Sequence, residues 1–383
     1  MNLTVSVIHS LSDVDAAAWD RLAGKDDPFL DHAFLLLLEE SRSVGPGTGW
    51  DPVYVLARRE DGELVGAMPL YRKANSYGEY IFDWAWADAA HRAGIPYYPK
   101  LVAAVPFTPA TGRRLLTADS GSEAHVVQAM LDKVREVADL NAASSTHILF
   151  CTAEEEGWLA EREGFLPRLS YQFHWANPGF RDFEDYLTAF RAGPRKQIRK
   201  ERRGALGHGF TLQTLRGVDL SEPQWASLYG FYLSTVRMRG GIPYLTQAFF
   251  SGLRERLAHR VVATFAMHAD VPVAGALAFQ KGQHLYGRYW GAAGDLEFLH
   301  FELCYYQLID FAIREGLTRF EAGAQGQHKV KRGFLPSATH SVHWIRHPEL
   351  AAAIAGFLPR EREALEEQMA YLEAQGPFPR GEG

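Results

Sequence analysis

Cysteine is nearly absent from this chain: Cys151 and Cys304 are the only two in 383 residues, and they lie far apart. Neither a disulfide framework nor a thiolate zinc site follows from two distant thiols, and the pattern points to a reducing compartment. No apolar run reaches the length of a membrane-crossing helix; residues 34–38 form the nearest, and Glu39-Glu40 ends it. The N-terminal stretch lacks the basic-then-apolar pattern of a secretion signal. These absences lead to the expectation of a cytoplasmic protein without integral membrane contact. HExxH, EF-hand and zinc-spaced His/Cys patterns are also missing, so no metal is expected. Without GxSxG, Walker A or a strand-linked GxGxxG, hydrolase, NTPase and dehydrogenase readings have no support. A net charge of −6 argues against a coat on nucleic acid, and no DNA partner is expected, but a local basic site is still open.

What the chain does have is a repeat. Gly164-Phe165-Leu166-Pro167 is followed by His174-Trp175, and Gly333-Phe334-Leu335-Pro336 is followed at the same spacing by His343-Trp344. Trp19, Pro28-Phe29-Leu30 and Ala33-Phe34 are echoed by Trp225, Pro243-Tyr244-Leu245 and Ala248-Phe249. Residues 53–70 resemble 261–279, with Asp61 over Asp270 and Gly66 over Gly275. Common order is what makes duplication the reading, since a copied segment this long implies two units of one fold. The length suits two domains.

Each half reads as helix, helix, hairpin, strand, helix, strand, then a GFLP turn and a last strand. Residues 3–8 alternate as a strand; 13–22 and 33–41 carry helical patterns, the first opened by Ser12 or Asp13. Asp61-Gly62 between β-rich runs is a hairpin signal, echoed at Ala269-Asp270. Residues 123–140 and 301–315 have helical periodicity and precede apolar strands at 147–151 and 318–322. The expected class is α/β (α+β), two tandem domains of mixed β-sheets flanked by helices. The expected boundaries are 1–180, with an aromatic, irregular insertion at about 71–111; 181–347, with a basic helix at 190–204; and a C-terminal helix and tail at 348–383.

Three constellations can carry chemistry. Residues 195–203, Arg-Lys-Gln-Ile-Arg-Lys-Glu-Arg-Arg, form a basic run in an acidic chain. On a helix Arg195, Arg199 and Arg202, or Lys196, Lys200 and Arg203, share a face, and guanidinium forks suit phosphate oxygens. A solvated helix face is the plain alternative. Second, Glu321-Ala322-Gly323-Ala324-Gln325-Gly326-Gln327-His328-Lys329-Val330-Lys331-Arg332 is a strand running into a small-residue loop. Its glycines permit close backbone approach. Glu321, His328, Lys329 or Lys331 can supply a general base or a cation for an oxyanion; a surface loop is the bland reading. The corresponding first-half stretch, 152–163, is acidic and lacks these groups, so the second half is favoured for chemistry. Third, Arg288, Tyr289 and Trp290 with His300, Glu302 and Tyr305 can line a pocket or merely pack; Arg237, Arg239 and Tyr244 precede them.

With Pro243-Tyr244-Leu245-Thr246, Tyr286-Gly287-Arg288-Tyr289-Trp290-Gly291, residues 300–307 and 321–326, His328-Lys329 and Arg332-Gly333-Phe334, the basic run resembles the FemAB-like acyltransferases. The likeness covers about 29–344 and is closest to an uncharacterised, peptidoglycan-related branch. The resemblance implies two tandem GNAT-like acyltransferase domains and transfer of an acyl or aminoacyl group to an amine. It implies aminoacyl-tRNA or acyl-CoA as co-substrate, no permanently bound cofactor, and a small-molecule or nucleotide-linked amine acceptor, such as a cell-wall precursor.

It also implies roles. Arg195, Lys196, Arg199 and Arg202 would hold phosphates, with Tyr244, Arg288, Tyr289, Trp290 and Gln325 lining the substrate site. Lys331 of the Lys-x-Gly-Phe turn, or its competitor Lys329, would stabilise the oxyanion. Glu321, His328 or Glu302 would manage the amine proton. The chain departs from GNAT proteins in having no clear pyrophosphate loop. Thr111, Gly112 and Arg113, ahead of the first-half helix, are the nearest candidates for holding donor phosphates. The rival class is a non-catalytic module that grips RNA or an anionic precursor.

Overall fold

The computed structural model describes residues 2–118, 123–162, 164–207, 209–294, 296–323 and 326–379. The chain divides into two compact units, Met1–Ser170 with Ala338–Glu366, and Tyr171–Ser337 with Glu367–Gly383. This differs from boundaries at 180 and 347. Residues 340–345 pair antiparallel with 145–151, and that ladder ties the segment after the second GFLP turn to the first unit.

The first unit contains β1 (Leu3–Ile8), β2 (Trp50–Pro52), β3 (Tyr54–Arg59), β4 (Leu64–Met68), β5 (Leu70–Lys73), β6 (Lys100–Ala103), β7 (Leu116–Thr117) and β8 (Ser145–Cys151). One sheet runs β1-β3-β4-β7, all antiparallel. Its hairpin turns at Asp61-Gly62, where Gly62 takes φ 87 at no steric cost. A helix at Glu123–Leu140 buries Val126, Val127, Met130, Leu131, Val134 and Val137 in the core beside it. Spacings of three and four put those side chains on one face. Gly66 of β4 lies so close that a Cβ there would stand 2.5 Å from the Val126 side chain. A second run joins β8, β6, β5 and β2, with β6 and β8 parallel. All seven residues of β8 are buried.

Two local expectations shift. Helix Ala16–Ala23 begins later than 13 because Asp15 caps it, accepting from the Ala18 amide. The 71–111 insertion is not irregular: it contributes β6 and a helix, Trp84–Arg92, that buries Trp86 and Ala90 one turn apart.

The second unit takes the end of β9 (Phe165–Ala176), then β10 (Thr211–Arg216), β11 (Val261–His268), β12 (Val271–Lys281), β13 (His284–Ala292) and β14 (Arg319–Glu321), in the order β10-β11-β12-β13-β14-β9. Only β13 and β14 run parallel. Helices Phe183–Thr188, Ala192–Leu206 and Gln307–Arg314 and helices Glu222–Met238 and Gln247–Arg256 accompany this sheet. Leu299–Phe301 leads through a π-helical turn, Glu302–Tyr306, into Gln307–Arg314. The core here collects Phe173, Trp175, Tyr186, Tyr306, Phe320 and Phe334. The last strand, β15 (Leu335–Ile345), precedes a helix at Pro348–Ala374. The mixed α/β class with helices around two units stands as expected. Among the described residues no helix is long and apolar enough to cross a membrane.

Candidate active site in the second unit

Two strands part here, and a buried lysine sits where they do. β13 and β14 pair at only three positions, ending with Tyr286 opposite Glu321. β13 then continues to Ala292 while the chain leaves the sheet after Glu321. The β12–β13 register shifts between Leu277 and Ala278, which leaves Arg288 as the extra residue of a bulge. Bulges re-aim neighbouring side chains: Tyr289 packs on Tyr232, ring centroids 5.2 Å apart, while Trp290 packs beside Ala205, Leu299 and Leu303. At the parting Gly323, at φ +82, approaches the carbonyl of Gly287.

The chain then makes a 3-10 turn, Gln327–Arg332, bracketed by Gly326 (φ 112) and Gly333 (φ 80). Both glycines are required: a Cβ on Gly326 would stand 2.5 Å from the His328 ring, and one on Gly333 2.6 Å from the Tyr186 hydroxyl. Tyr186 donates to the Arg332 carbonyl. The Arg332 guanidinium reaches Glu201 at 2.8 Å, the Tyr306 hydroxyl at 2.9 Å and the His328 carbonyl at 2.7 Å. It also stacks over Phe301, 3.5 Å from the ring centroid. Tyr306 in turn donates to Glu201. A buried pair with this many partners fixes the turn in one conformation.

That turn holds Lys329, 2% exposed, with Nζ donating to the Gly323 carbonyl at 2.9 Å. Burial lowers its pKa to about 7, and the positive charge of Arg239 pushes the same way. Lys331, two residues on, is exposed. The resemblance put Lys331 in the turn motif with Lys329 as its competitor, and of the two it is Lys329 that is buried. His328 is exposed on one side and meets the Tyr305 hydroxyl at 3.0 Å through Nε2. Desolvation, then the charges of Arg332 and Lys329, hold its pKa below the usual imidazole value. His300 stands edge-on to Trp290 at 5.0 Å and to Tyr305 at 5.4 Å, and burial lowers its pKa to about 4. Burial pushes the Cys304 thiol up, so it is no thiolate nucleophile.

Other expected residues have other duties. Glu302 is buried, bound by Arg202 at 3.1 Å and Gln307 at 2.8 Å; desolvation raises its pKa against the pull of Arg202. Glu321 is buried beside Arg319 at 3.0 Å and His174 at 3.7 Å, with no hydrogen bond to Lys329 among the described residues. Arg195 donates to the Phe190 carbonyl and Arg199 pairs with Glu184 at 2.5 Å. The face made of Arg195, Arg199 and Arg202 is therefore engaged by the protein itself. Lys196, Lys200 and Arg203 form the exposed stripe of the same helix, without an ion pair among the described residues. Arg288 lies over the Tyr289 ring at 5.4 Å, and the Tyr244 amide donates to Tyr232, so Tyr244 and Tyr289 gather around Tyr232 rather than Lys329. Gln325 lies outside the described residues.

Thr111, Gly112 and Arg113 lie in the first unit, and they do not open a helix: β7 follows them. Arg113 donates to Thr117 at 2.7 Å, and the next two amides, of Arg114 and Leu115, are both taken by Glu155 at 2.7 Å. An internal carboxylate already occupies the anion-binding position of that loop. Glu201, Tyr306 and Arg332 act as a unit that sequence reasoning missed. The signal available was the lone acid inside the basic run, a residue out of place unless it faces a cation.

A family model described as peptidoglycan biosynthesis/recognition, FemAB-like, matches residues 10–380. The chain belongs to the FemAB-like family. The family match carries the reaction class, transfer of an acyl or aminoacyl group in peptidoglycan-related biosynthesis. Among solved structures, this FemAB-like chain is similar to FemX at 12% identity and TM-score 0.55, over 93% of this chain and 100% of that one. It is similar to the C-terminal domain of a putative lysylphosphatidylglycerol synthetase from Agrobacterium fabrum at 9% identity and TM-score 0.56, over 90% and 95%. A conserved protein of unknown function from Bacteroides thetaiotaomicron gives 13% and 0.50, over 90% and 100%. At such identities the likeness is one of fold. No curated protein matches the sequence significantly.

Proposed function

We propose that the second unit joins an amine to the carbonyl of an activated acyl or aminoacyl donor, with Lys329 as the cation that meets the developing oxyanion. The amine nitrogen attacks, the carbonyl oxygen gains the charge, and collapse expels the donor's oxygen or sulfur, which leaves with the proton the amine gives up. The observation that supports this is the place of Lys329: a buried ammonium at the parting of β13 and β14, donating to the backbone carbonyl of Gly323. A cation in a dry site, held before the reaction begins, stabilises new negative charge far more than one in water. Its lowered pKa also lets it exchange a proton readily near neutrality. His328, exposed on one side, below its usual pKa and bonded to Tyr305, is the proposed acceptor of the amine proton.

The donor we favour carries phosphates in a row. Lys196, Lys200 and Arg203 follow one helix face for about 10 Å, a spacing suited to the backbone of an aminoacyl-tRNA. Acceptor transfer assayed with aminoacyl-tRNA and acyl-CoA side by side tests the choice. Transfer from the tRNA ester that is lost in Lys329→Ala supports the reading; full turnover in Lys329→Ala removes it.

A further inference from the structure

Strand β6 opens on a lysine with no exposed surface. Lys100 Nζ donates to Asp83 Oδ2 at 2.5 Å, Glu79 Oε2 at 2.8 Å and Ser76 Oγ at 2.8 Å. Ser76, Glu79 and Asp83 are themselves buried. The Tyr97 hydroxyl donates to the same Asp83 Oδ2 at 2.7 Å, while Asp83 Oδ1 and Glu79 Oε1 accept no hydrogen bond among the described residues. Aromatic rings close the site, with Nζ 5.6 Å from the Tyr97 ring centroid and 5.8 Å from that of Tyr98. Three buried charges with two idle oxygens are a costly way to hold a loop. Lys100, Asp83, Glu79 and Tyr97 are also a complete set for making an amide.

We propose that Lys100 and Asp83 condense into an isopeptide bond inside the folded first unit, with Glu79 carrying the protons. At rest the pair is ionic: burial works against the charge on Lys100, and the carboxylates of Glu79 and Asp83 outweigh it. Burial raises the Glu79 pKa to about 7 against the pull of Lys100, so this carboxylate takes up and gives back a proton near neutrality. Glu79 takes one proton from the ammonium and passes it to Asp83, which leaves a free amine facing a neutral carboxyl. The nitrogen bonds to Asp83 Cγ, and negative charge gathers on Oδ2, where the Tyr97 hydroxyl already points. Burial raises the pKa of that hydroxyl, so it stays a donor. Glu79 then moves a second proton from the nitrogen to Oδ1, the Cγ–Oδ1 bond breaks, and water leaves. One ammonium and one carboxylate become one amide and one water, without an oxidant or cofactor.

Two effects favour the bond over a lasting ion pair. Holding amine and carboxyl in contact within one fold gives effective molarities of about 10⁵–10⁸ M. Amide formation also removes two charges from a place where each is costly to keep. Lys73, the other fully buried lysine nearby, lacks this arrangement: its Nζ donates to the Tyr77 carbonyl at 2.9 Å and stays 3.9 Å from Glu79. The new bond ties the N-terminus of helix Trp84–Arg92 to β6. It is independent of the Lys329 chemistry.

Intact-mass measurement of the full folded chain tests this. The chain should weigh one water less than its sequence requires, and trypsin should release 74–92 joined to 93–113, uncut at Lys100. Chain isolated unfolded in urea should have the full sequence mass and lose the water on refolding. Glu79→Gln keeps both reacting side chains and should slow that loss at least roughly a hundredfold. Lys100→Met should keep its full sequence mass, and Lys329→Ala should lose water as the native chain does. A folded native chain at full sequence mass, or a water lost at Lys73 instead, overturns the proposal. Native-rate water loss in Glu79→Gln overturns the part given to Glu79.

Discussion

Arg332 and Glu201 form a buried ion pair at 2.8 Å, and the turn between Gly326 and Gly333 is held by it. The pair joins the basic helix to the segment bearing Lys329. Glu201→Gln leaves the Arg332 charge poorly compensated and should cost about 3–5 kcal/mol, as removal of one partner of a buried pair does. Urea denaturation measures it. The same variant should also lose transfer activity before it unfolds, because the turn loosens around Lys329.

The pH dependence of stability has a definite sign. Lys329 has a pKa of about 7 in the folded chain against 10.5 for an ordinary lysine. Below 7 both states are protonated and the folded chain bears the full cost of a buried charge. Between those values the unfolded state holds the extra proton, so rising pH favours the folded form. Lys329→Met should therefore be more stable than the native chain, with the largest gap below about pH 7 and a shrinking gap toward about pH 10. Thermal unfolding across that range checks it.

The architecture was largely legible in the sequence, and the site only partly. Periodicity placed the helix at Glu123–Leu140, because apolar residues at three and four spacing have one way to be buried. The helix at Trp84–Arg92 was hidden because one of its two tryptophans, Trp84, faces solvent while Trp86 is buried, which blurs amphipathic contrast. For the basic run, composition showed the charge but not its partners. Glu184 and Glu302 reach it from elsewhere in the chain, and only the fold tells a spent arginine from a free lysine.

From that distinction comes a salt experiment. Replacing Lys196, Lys200 and Arg203 together with Ala should lower the log–log salt slope of tRNA binding by about 2, at roughly 0.7 for each phosphate no longer neutralised on a single strand. Arg199→Ala should change it less, since that charge is already paired with Glu184. An unchanged slope in the triple variant would remove the stripe from the donor site.

Close packing beneath the bulged strand gives a fourth test. A Cβ on Gly291 would stand 2.0 Å from the Phe231 carbonyl oxygen. Backbone cannot yield as a side-chain tip does, so Gly291→Ala should destabilise by about 1–3 kcal/mol or more. It should also displace Trp290, visible as a change in tryptophan emission. Gly294→Ala, with open space around the added methyl, is the control.

The pH profile of aminolysis, measured on the native chain beside Lys329→Met and Lys331→Met, tests the central claim most directly. A protonated Lys329 is needed to meet the oxyanion, so native kcat/KM should have a limb that falls as pH rises past about 7. Lys331→Met should keep that limb, and Lys329→Met should lose it together with at least roughly a hundredfold in rate. A Lys329→Met enzyme with native rates and the same falling limb would contradict the account.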